Sequence, residues 1–295
     1  MNLCNVKTVK ALLSKYSTDT KKGFGQNFLI DASIPFEIAE QSHSYHMSKN
    51  GGKSCVLEIG PGVGALAYEL CARYDKVVAV EIDRSLIPLL NEVMDEFDNF
   101  TLVNGDFLKL NLDEFLSEHF GSEQVSVCAN LPYYITTPII MKLLEEAKGR
   151  ISSITVMVQR EVAKRLCATC KDSEYGAITA SVNYYGRAVE LFDVMPESFL
   201  PPPSVVSTVI RIELFESCPY DVRDEKTLFE VISGAFAQRR KTLLNSLSSS
   251  IGWANKQQVA DAIVKCGFDI GIRGERLSIE DFCALANCLY EEKTK

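Results

Sequence analysis

From about residue 54 onward, short apolar segments alternate with segments that have the hydrophobic periodicity of helices. The apolar segments span residues 55–59, 76–82, 100–103, 125–129 and 154–158. Strands that alternate with helices in this way form a parallel sheet covered by helices on both faces. Such sheets bind ligands at the carboxyl ends of their strands, so the loops after these segments are the first places to search for a site.

The pattern changes after residues 177–185, which are predicted to form a helix. Two β-rich segments follow, 188–194 and 205–214, and the proline-rich stretch 196–203 joins them. This connection is too short for a parallel crossover, so the two strands are predicted to be antiparallel. Helical periodicity dominates the rest of the chain. The sequence therefore predicts three parts: a basic arm (1–22), an α/β domain (23–215) and a small all-α domain (216–295).

The chain has a net charge of −8 at neutral pH, so its surface as a whole is not expected to attract nucleic acids. A local basic patch can nevertheless hold phosphates. Residues 1–22 contain five lysines, including Lys21 and Lys22, against the single acidic residue Asp19. This arm either contacts RNA phosphates or is a solvated tail. No apolar run reaches the ~18 residues of a spanning helix and no signal peptide is recognisable, so we expect a cytoplasmic protein without membrane contact.

Ten cysteines in a protein of that compartment are expected to be free thiols. Cys167 and Cys170 have the spacing of a zinc-binding pair, but such a site needs a second pair or nearby histidines. The three histidines, His43, His46 and His119, do not lie near another such pair in the sequence. We therefore interpret Cys167 and Cys170 as residues of a helix and expect no metal.

A glycine-rich loop at residues 58–64 follows the first strand and precedes a helix. Its glycines allow a tight turn and a close approach of the backbone to a ligand. Gly60, Gly62 and Ala65 also satisfy the dinucleotide-binding pattern, so a dehydrogenase is a competing interpretation. Glu81 ends the second strand, 21 residues after Gly60. A carboxylate there can accept hydrogen bonds from both ribose hydroxyls of either NAD or S-adenosylmethionine.

Two further acidic residues near this loop have open interpretations. Asp106 follows the third strand in the turn Asn-Gly-Asp, where it either accepts a hydrogen bond from the adenine amine of a cofactor or caps a turn. Glu58 either has a structural role or faces the methionine amine of a cofactor.

The loop Asn130-Leu131-Pro132-Tyr133 follows the fourth strand, at the same edge of the sheet as the glycine loop. An aromatic amine is a poor nucleophile because its lone pair is delocalised into the ring. The Asn130 amide oxygen and the Leu131 carbonyl can accept its two hydrogens, while Pro132 restricts the backbone of Leu131. Tyr133 offers a face for stacking of an extruded base. The loop indicates methyl transfer to a planar amine without a strong base, and by itself it does not distinguish DNA, RNA or a glutamine side chain.

Motifs along nearly the whole chain from about residue 21 occur in the order and spacing of one family. They are 25–29 (GQNFL), 58–64, 80–83 (VEID), 105–106, 130–133, 159–163 (QREVA), 199–205 (FLPPPSV) and 236–243 (FAQRRKTL). On these motifs the chain resembles the KsgA/RsmA ribosomal RNA adenine dimethyltransferases. The resemblance implies a Rossmann-like class I methyltransferase fold, with a mostly parallel seven-stranded sheet and an antiparallel last strand, followed by the all-α domain.

The resemblance also implies an activity. Methyl groups pass from S-adenosylmethionine, which becomes S-adenosylhomocysteine, to the N6 amines of two adjacent adenosines near the 3′ end of small-subunit (16S) ribosomal RNA. The implied partners are this RNA and the immature small ribosomal subunit, and we expect a monomer. Two alternatives remain, which are a methyltransferase for large-subunit RNA and a mainly non-catalytic assembly factor.

The resemblance carries roles over to particular residues. It implies cofactor contacts from Gln26, Asn27, Leu29, Gly60, Gly62, Glu81, Ile82, Asp106, Phe107 and Asn130. It implies that Tyr133 and Phe199 form the aromatic pair that holds the target base. Many family members carry Asn where this chain has Tyr134, a difference that bears on how the extruded base is gripped.

The basic cluster of Arg239, Arg240 and Lys241 lies in the predicted helical domain. Side chains of this type pair with nucleic-acid phosphates, although a solvated helix face is the competing interpretation. The resemblance favours RNA binding at this cluster.

Overall fold

The computed structural model of this protein describes residues 2–17, 26–146 and 149–293, with the side chain of residue 292 left out. Contacts within the chain divide it into two compact units. Unit 1 comprises Met1–Ala163 and Ala188–Glu216, and unit 2 comprises Lys164–Arg187 and Ser217–Lys295.

The strands of the described residues form a large sheet and a small one. They are β1 (Phe28–Leu29), β2 (Cys55–Ile59), β3 (Lys76–Glu81), β4 (Phe100–Asn104), β5 (Val125–Asn130), β6 (Ile151–Gln159), β7 (Gly186–Val194), β8 (Phe199–Leu200) and β9 (Ser207–Leu214). The large sheet has seven strands in the order β4-β3-β2-β5-β6-β9-β7. Its strands from β4 to β6 are parallel, whereas β9 is antiparallel to β6. The predicted class I methyltransferase sheet, with its antiparallel last strand, is confirmed.

Helices connect the strands and make up most of unit 2. They are α1 (Val6–Lys15), α2 (Ser33–Asn50), α3 (Ala65–Cys71), α4 (Ile87–Val93), α5 (Leu112–Phe120), α6 (Thr136–Glu146), α7 (Arg160–Cys167), α8 (Ala177–Tyr185), α9 (Glu225–Phe236), α10 (Leu243–Ser250), α11 (Lys256–Lys265) and α12 (Ile279–Lys293). Within the described ranges, no helix is long and apolar enough to cross a membrane.

The core of the large sheet explains why its strands are continuous apolar runs. Every residue of β2 is buried, and so are the first five residues of β5. Helices cover both faces of a parallel sheet, so its central strands need apolar side chains in both directions. In β5 the first less buried residue is the polar Asn130 at its carboxyl end, where the site is expected.

The N-terminal segment departs from the prediction of a basic arm. Residues 6–15 form helix α1, whose side chains Val9, Leu12 and Leu13 are buried. They belong to one apolar cluster with residues of α4 such as Leu89, so this part of the segment is an element of unit 1. Its spacing of i, i+3 and i+4 is that of an amphipathic helix. Lys21 and Lys22, the lysines predicted to bind RNA, lie outside the described residues.

The boundary between the two units also departs from the predicted one. Residues 164–187, predicted to belong to the α/β domain, are part of unit 2. The side chains of Tyr175 and Tyr184 explain this assignment because both pack in the apolar core of the helical unit. The hydroxyl of Tyr175 also donates a hydrogen bond to the Leu277 carbonyl of the same unit at 2.9 Å.

Three helices of unit 2, α9, α10 and α11, begin at side-chain caps. Asp224 accepts a hydrogen bond from the Thr227 amide at 2.9 Å before α9, and Asn255 accepts one from the Gln258 amide at 3.0 Å before α11. Such caps satisfy amide groups that the first turn of a helix leaves without partners.

Candidate functional site

A pocket that is partly open to solvent lies at the carboxyl ends of β2, β3, β4 and β5 in unit 1. The segment around β1 also contributes to its wall. The pocket brings together every residue for which the resemblance implied a cofactor contact: Gln26, Asn27, Leu29, Gly60, Gly62, Glu81, Ile82, Asp106, Phe107 and Asn130. Residues from four separate loops thus meet at one edge of the sheet, as expected for strands that run in parallel.

The glycine loop has a backbone that other residues adopt with strain. Gly60 has φ +72° and Gly62 has φ +61°, both in the left-handed region. A Cβ atom on Gly62 would also lie 3.2 Å from the ring of Phe28, which lines the pocket. Glycine at this position therefore keeps both the turn and the shape of the pocket wall.

Glu81 is the carboxylate that organises this edge. Its Oε2 accepts a hydrogen bond from the Gly62 amide at 3.1 Å, and its Oε1 accepts one from the Asp83 amide at 2.8 Å. Burial raises the pKa of Glu81, while hydrogen bonds from backbone amides, including those of Asp83 and Gly62, act in the opposite direction. Each oxygen keeps lone pairs for further donors, such as two ribose hydroxyls.

Glu58 is a buried carboxyl group of the pocket wall with an unusual environment. It is 1% exposed, and its Oε2 has no hydrogen-bond partner among the described residues. Burial, together with the nearby charge of Glu81, raises the pKa of Glu58 to about 8. A buried polar atom without a partner is costly, so this atom fits a donor group of a bound ligand.

Asp106 caps a turn, which is one of the two interpretations that its sequence position left open. Its Oδ1 accepts a hydrogen bond from the Leu108 amide at 3.1 Å and caps the short 3-10 turn that follows β4. It also lines the pocket. The cap fixes the carboxylate beside the pocket, where it can accept a hydrogen bond from a ligand amine.

Asn130 ends β5 with its amide group held in one orientation. Its Nδ2 donates a hydrogen bond to the Asn27 carbonyl at 3.1 Å. Among the described residues its Oδ1 accepts no hydrogen bond, so the acceptor end of the amide is open to a substrate. The Asn27 carbonyl thus selects which atom of Asn130 a bound amine meets.

The rest of the Asn130–Tyr133 loop, meaning residues 130–133, is equally constrained. Leu131 is buried, and Pro132 has φ −58° and ψ 129°. The hydroxyl of Tyr133 lies 2.7 Å from the Ser207 hydroxyl, which fixes the far end of the half-buried ring. Burial raises the pKa of Tyr133, so its hydroxyl stays protonated at neutral pH.

Phe199 does not lie where the resemblance implied. It does not line the pocket, and its ring is 2% exposed within an apolar cluster that includes Leu29 and Val194. The cause is the two-stranded sheet of β1 and β8, in which Phe199 pairs with Leu29 and is drawn into the core. The expected pairing of Tyr133 and Phe199 around a base is therefore not seen in this structure.

Several residues of the pocket were not among the predicted site residues, although Tyr134 stood out in the sequence as a departure from the family pattern. Phe28, Leu108 and Tyr134 line it, and Leu108 and Tyr134 are exposed. Phe28 belongs to the GQNFL motif, so the sequence marked it as part of a family motif but assigned it no role. Leu108 follows predicted site residues by one or two positions, and nothing in its periodicity separates it from a surface residue.

The basic cluster of unit 2 lies in the turn between α9 and α10, not on a helix face. Arg239 donates hydrogen bonds from Nη2 to the carbonyls of Ser173, at 2.9 Å, and Tyr175, at 3.2 Å. Its guanidinium group therefore holds a loop of its own unit. Arg240 and Lys241 are exposed and remain candidates for phosphate binding.

The sheet order, the glycine loop and the acidic residues at the ends of β3 and β4 define a class I methyltransferase that uses S-adenosylmethionine. The model of the family described as ribosomal RNA adenine dimethylase matches residues 17–291, and the chain belongs to that family.

Curated relatives agree with this assignment. The chain is 41% identical over 283 residues to the ribosomal RNA small subunit methyltransferase A of Alkaliphilus oremlandii, with 96% of each chain covered. It is 42% identical over 289 residues to the protein of the same name from Bacillus cytotoxicus, with 97% of each chain covered.

Two solved structures share the fold. A dimethyladenosine transferase from Plasmodium falciparum has a TM-score of 0.71 at 23% identity, with 90% of this chain and 98% of that chain covered. The 23S rRNA methyltransferase ErmE has a TM-score of 0.66 at 24% identity, with 90% of this chain and all of that chain covered. At these identities the likeness concerns the fold alone.

Proposed function

We propose that this protein transfers methyl groups from S-adenosylmethionine to the N6 amines of two adjacent adenosines near the 3′ end of small-subunit ribosomal RNA. The products are dimethyladenosines, and the modification belongs to the biogenesis of the small subunit. The observation that carries the proposal is the fixed amide of Asn130, whose Nδ2 is engaged by the Asn27 carbonyl while its Oδ1 is open beside the pocket.

The pocket fits S-adenosylmethionine by the chemistry of its polar groups. The Glu81 carboxylate suits the ribose hydroxyls, and Asp106 suits the adenine amine, with the exposed apolar side chain of Ile82 beside them. The unpartnered Oε2 of Glu58 suits the methionine ammonium group. When bound, this cofactor supplies an electrophilic methyl group on a sulfonium centre.

The residues of the Asn130–Tyr133 loop prepare the acceptor amine. In the first transfer the Asn130 Oδ1 and the Leu131 carbonyl accept the two hydrogens of the unmethylated amine, which favours a pyramidal nitrogen with a localised lone pair. In the second transfer one of these oxygens accepts the single remaining hydrogen. Tyr133 stacks on the adenine ring and Ser207 holds it in place. The methylated nitrogen is acidic enough to lose its proton to water, so rate enhancement comes mainly from positioning.

The substrate is ribosomal RNA, and we propose that the immature small subunit presents it. We further propose that the protein acts in the cytoplasm as a monomer and without a metal ion. No group of three or more His, Cys, Asp or Glu residues in the described part of the chain is arranged to hold a metal.

Deletion of the gene tests the choice of RNA. We expect small-subunit RNA from the deletion strain to lack two dimethyladenosines, with the modifications of large-subunit RNA unchanged, as measured by nucleoside analysis of the purified RNAs. A plasmid copy of the gene should restore both marks. Loss of a large-subunit mark instead would assign the protein to the other class of ribosomal RNA methyltransferase.

A further inference from the structure

One aromatic side chain at the pocket has no part in the reaction described above. Tyr134 lines the pocket and is 60% exposed. The other aromatic rings of the wall are less accessible, because Phe28 and Phe107 are each 5% exposed and Tyr133 is half-buried. In the described part of the chain, no residue forms a hydrogen bond or a ring contact with Tyr134. Single exposed apolar side chains are common, so exposure alone assigns no role.

The backbone beneath Tyr134 distinguishes it from an ordinary surface residue. Residues Tyr133–Ile135 form a 3-10 turn that begins at the last residue of the Asn130–Tyr133 loop. The Ile135 amide donates to the Pro132 carbonyl at 3.1 Å, and the Thr136 hydroxyl donates to the same carbonyl at 3.2 Å. The turn thus presents the Tyr134 ring on a constrained backbone, which lowers the entropic cost of binding against it.

The geometry of the turn also decides which base the ring can meet. A 3-10 turn has about three residues per turn, so neighbouring side chains leave it in directions about 120° apart. Two rings with that divergence cannot lie on opposite faces of one base. If Tyr133 stacks on the adenine that receives the methyl group, Tyr134 meets a different nucleotide.

We propose that Tyr134 is a positioning residue that stacks on a nucleobase flanking the target adenosine. This inference rests on the proposed function, because the flanking base is that of the RNA being methylated. Two adjacent adenosines are modified in turn, so the base beside the target is another adenine, which offers a large face for stacking. The contact anchors the RNA strand while the target base occupies the pocket.

The contact exists both before and during methyl transfer, so its loss should appear in substrate binding and not in the chemical step. Stacking on one base corresponds to a factor of about 5 to 150 in affinity. For Tyr134→Ala we expect KM for unmethylated small subunits to rise about tenfold or more, with kcat and the affinity for S-adenosylhomocysteine close to those of the wild type.

Two further variants make the test specific. Tyr134→Phe keeps the aromatic face and should behave like the wild type. Phe36→Ala removes another exposed aromatic ring, 48% exposed on α2 and outside the pocket, and should not change KM. The inference is overturned if Tyr134→Ala has the wild-type KM, or if it loses cofactor affinity to the same degree as RNA affinity. If the wild type itself does not methylate small subunits, the proposed function fails instead.

Discussion

At the scale of single residues, Glu58 is the carboxyl group of the pocket whose pKa is most perturbed. Its carboxyl group is buried beside Glu81, and its pKa is raised to about 8. The group is therefore largely protonated at neutral pH in the ligand-free protein. An ammonium group placed against its unpartnered Oε2 would favour the carboxylate, so cofactor binding and loss of this proton are linked.

The raised pKa of Glu58 predicts a pH-dependent stability. A carboxyl group whose pKa is higher in the folded than in the unfolded state contributes stability at low pH and loses it as the pH rises through the folded pKa. For Glu58 the window runs from its ordinary value of 4.5 to about 8. We expect Glu58→Gln to gain stability relative to the wild type across this window, as measured by urea unfolding of the ligand-free proteins.

The control for this prediction is Glu118→Gln, which neutralises an exposed carboxylate on α5. Its difference from the wild type should not change over the same pH range. If the difference between Glu58→Gln and the wild type is also constant between pH 5 and pH 8, the Glu58 carboxyl group titrates normally in the folded protein and the linkage is wrong.

At the scale of elements, the glycine loop combines a strained backbone with a close neighbour. Gly62 and Gly51 have similar left-handed φ angles, +61° and +56°, but only a Cβ on Gly62 meets another side chain, the ring of Phe28. The pair thus separates the cost of the backbone conformation from the cost of moving the pocket wall.

We expect Gly62→Ala and Gly51→Ala each to lower the free energy of unfolding by about 1–2 kcal/mol, the cost of an L-residue in the left-handed region. Only Gly62→Ala should weaken S-adenosylhomocysteine binding, by about tenfold, or about 1.4 kcal/mol. Chemical unfolding and calorimetric titration measure the two effects. Equal loss of binding in both variants would mean that the effect comes from stability and not from the pocket wall.

Elements with a strong periodic signal were predictable, and those that depend on distant partners were not. The buried run of β2 was predicted with its observed limits, whereas β5 extends one residue further, to Asn130, because a polar residue at a strand end interrupts the apolar pattern. The burial of Phe199 depends on its pairing with Leu29 in a sheet of two-residue strands, which is too short to show any period. Its environment was therefore invisible in the sequence.

At the scale of the whole molecule, the division into two units also depends on contacts between residues that are distant in the sequence. The assignment of residues 164–187 to the helical unit depends on contacts such as that between Tyr175 and Leu277, which are far apart in the sequence. In the N-terminal segment, the prediction was based on the lysine content and missed the amphipathic spacing of Val9, Leu12 and Leu13. The pocket was easier to predict because parallel strands place the loops that follow them at one edge.

An acidic protein that binds RNA must do so through local basic groups, which predicts a strong dependence on salt. We expect the affinity for unmethylated small-subunit RNA to fall steeply with salt concentration, measured by filter binding at several concentrations. Arg240→Ala and Lys241→Ala should each reduce the slope of log K against log salt by about one if each contacts a phosphate.

Two other variants of unit 2 serve as comparisons for this experiment. Lys256→Ala removes an exposed cation outside the basic cluster and should leave the slope unchanged. Arg239→Ala should lower the stability of the protein, because its guanidinium group holds the carbonyls of Ser173 and Tyr175. A flat salt response of the wild type would contradict phosphate binding at Arg240 and Lys241.

The central claim is that Asn130 presents its amide oxygen to the amine that is methylated. Asn104 provides a control, because it ends strand β4 of the same sheet, donates a similar hydrogen bond from Nδ2 to the Glu81 carbonyl at 2.8 Å, and does not line the pocket. Both alanine variants remove a strand-end hydrogen bond donated from Nδ2, and Asn104→Ala also removes the one that its Oδ1 accepts from Arg84 at 3.2 Å. Only Asn130→Ala removes an acceptor from the site.

The decisive measurement is single-turnover transfer of labelled methyl groups to unmethylated small subunits, followed by nucleoside analysis. We predict that the wild type and Asn104→Ala form dimethyladenosine at two adjacent positions, and that Asn130→Ala does so about 100-fold more slowly, on the scale of losing one preorganised hydrogen bond to the reacting group. Its affinity for S-adenosylhomocysteine should change far less. Transfer by Asn130→Ala at the wild-type rate, or label in a nucleoside other than adenosine, would contradict the account.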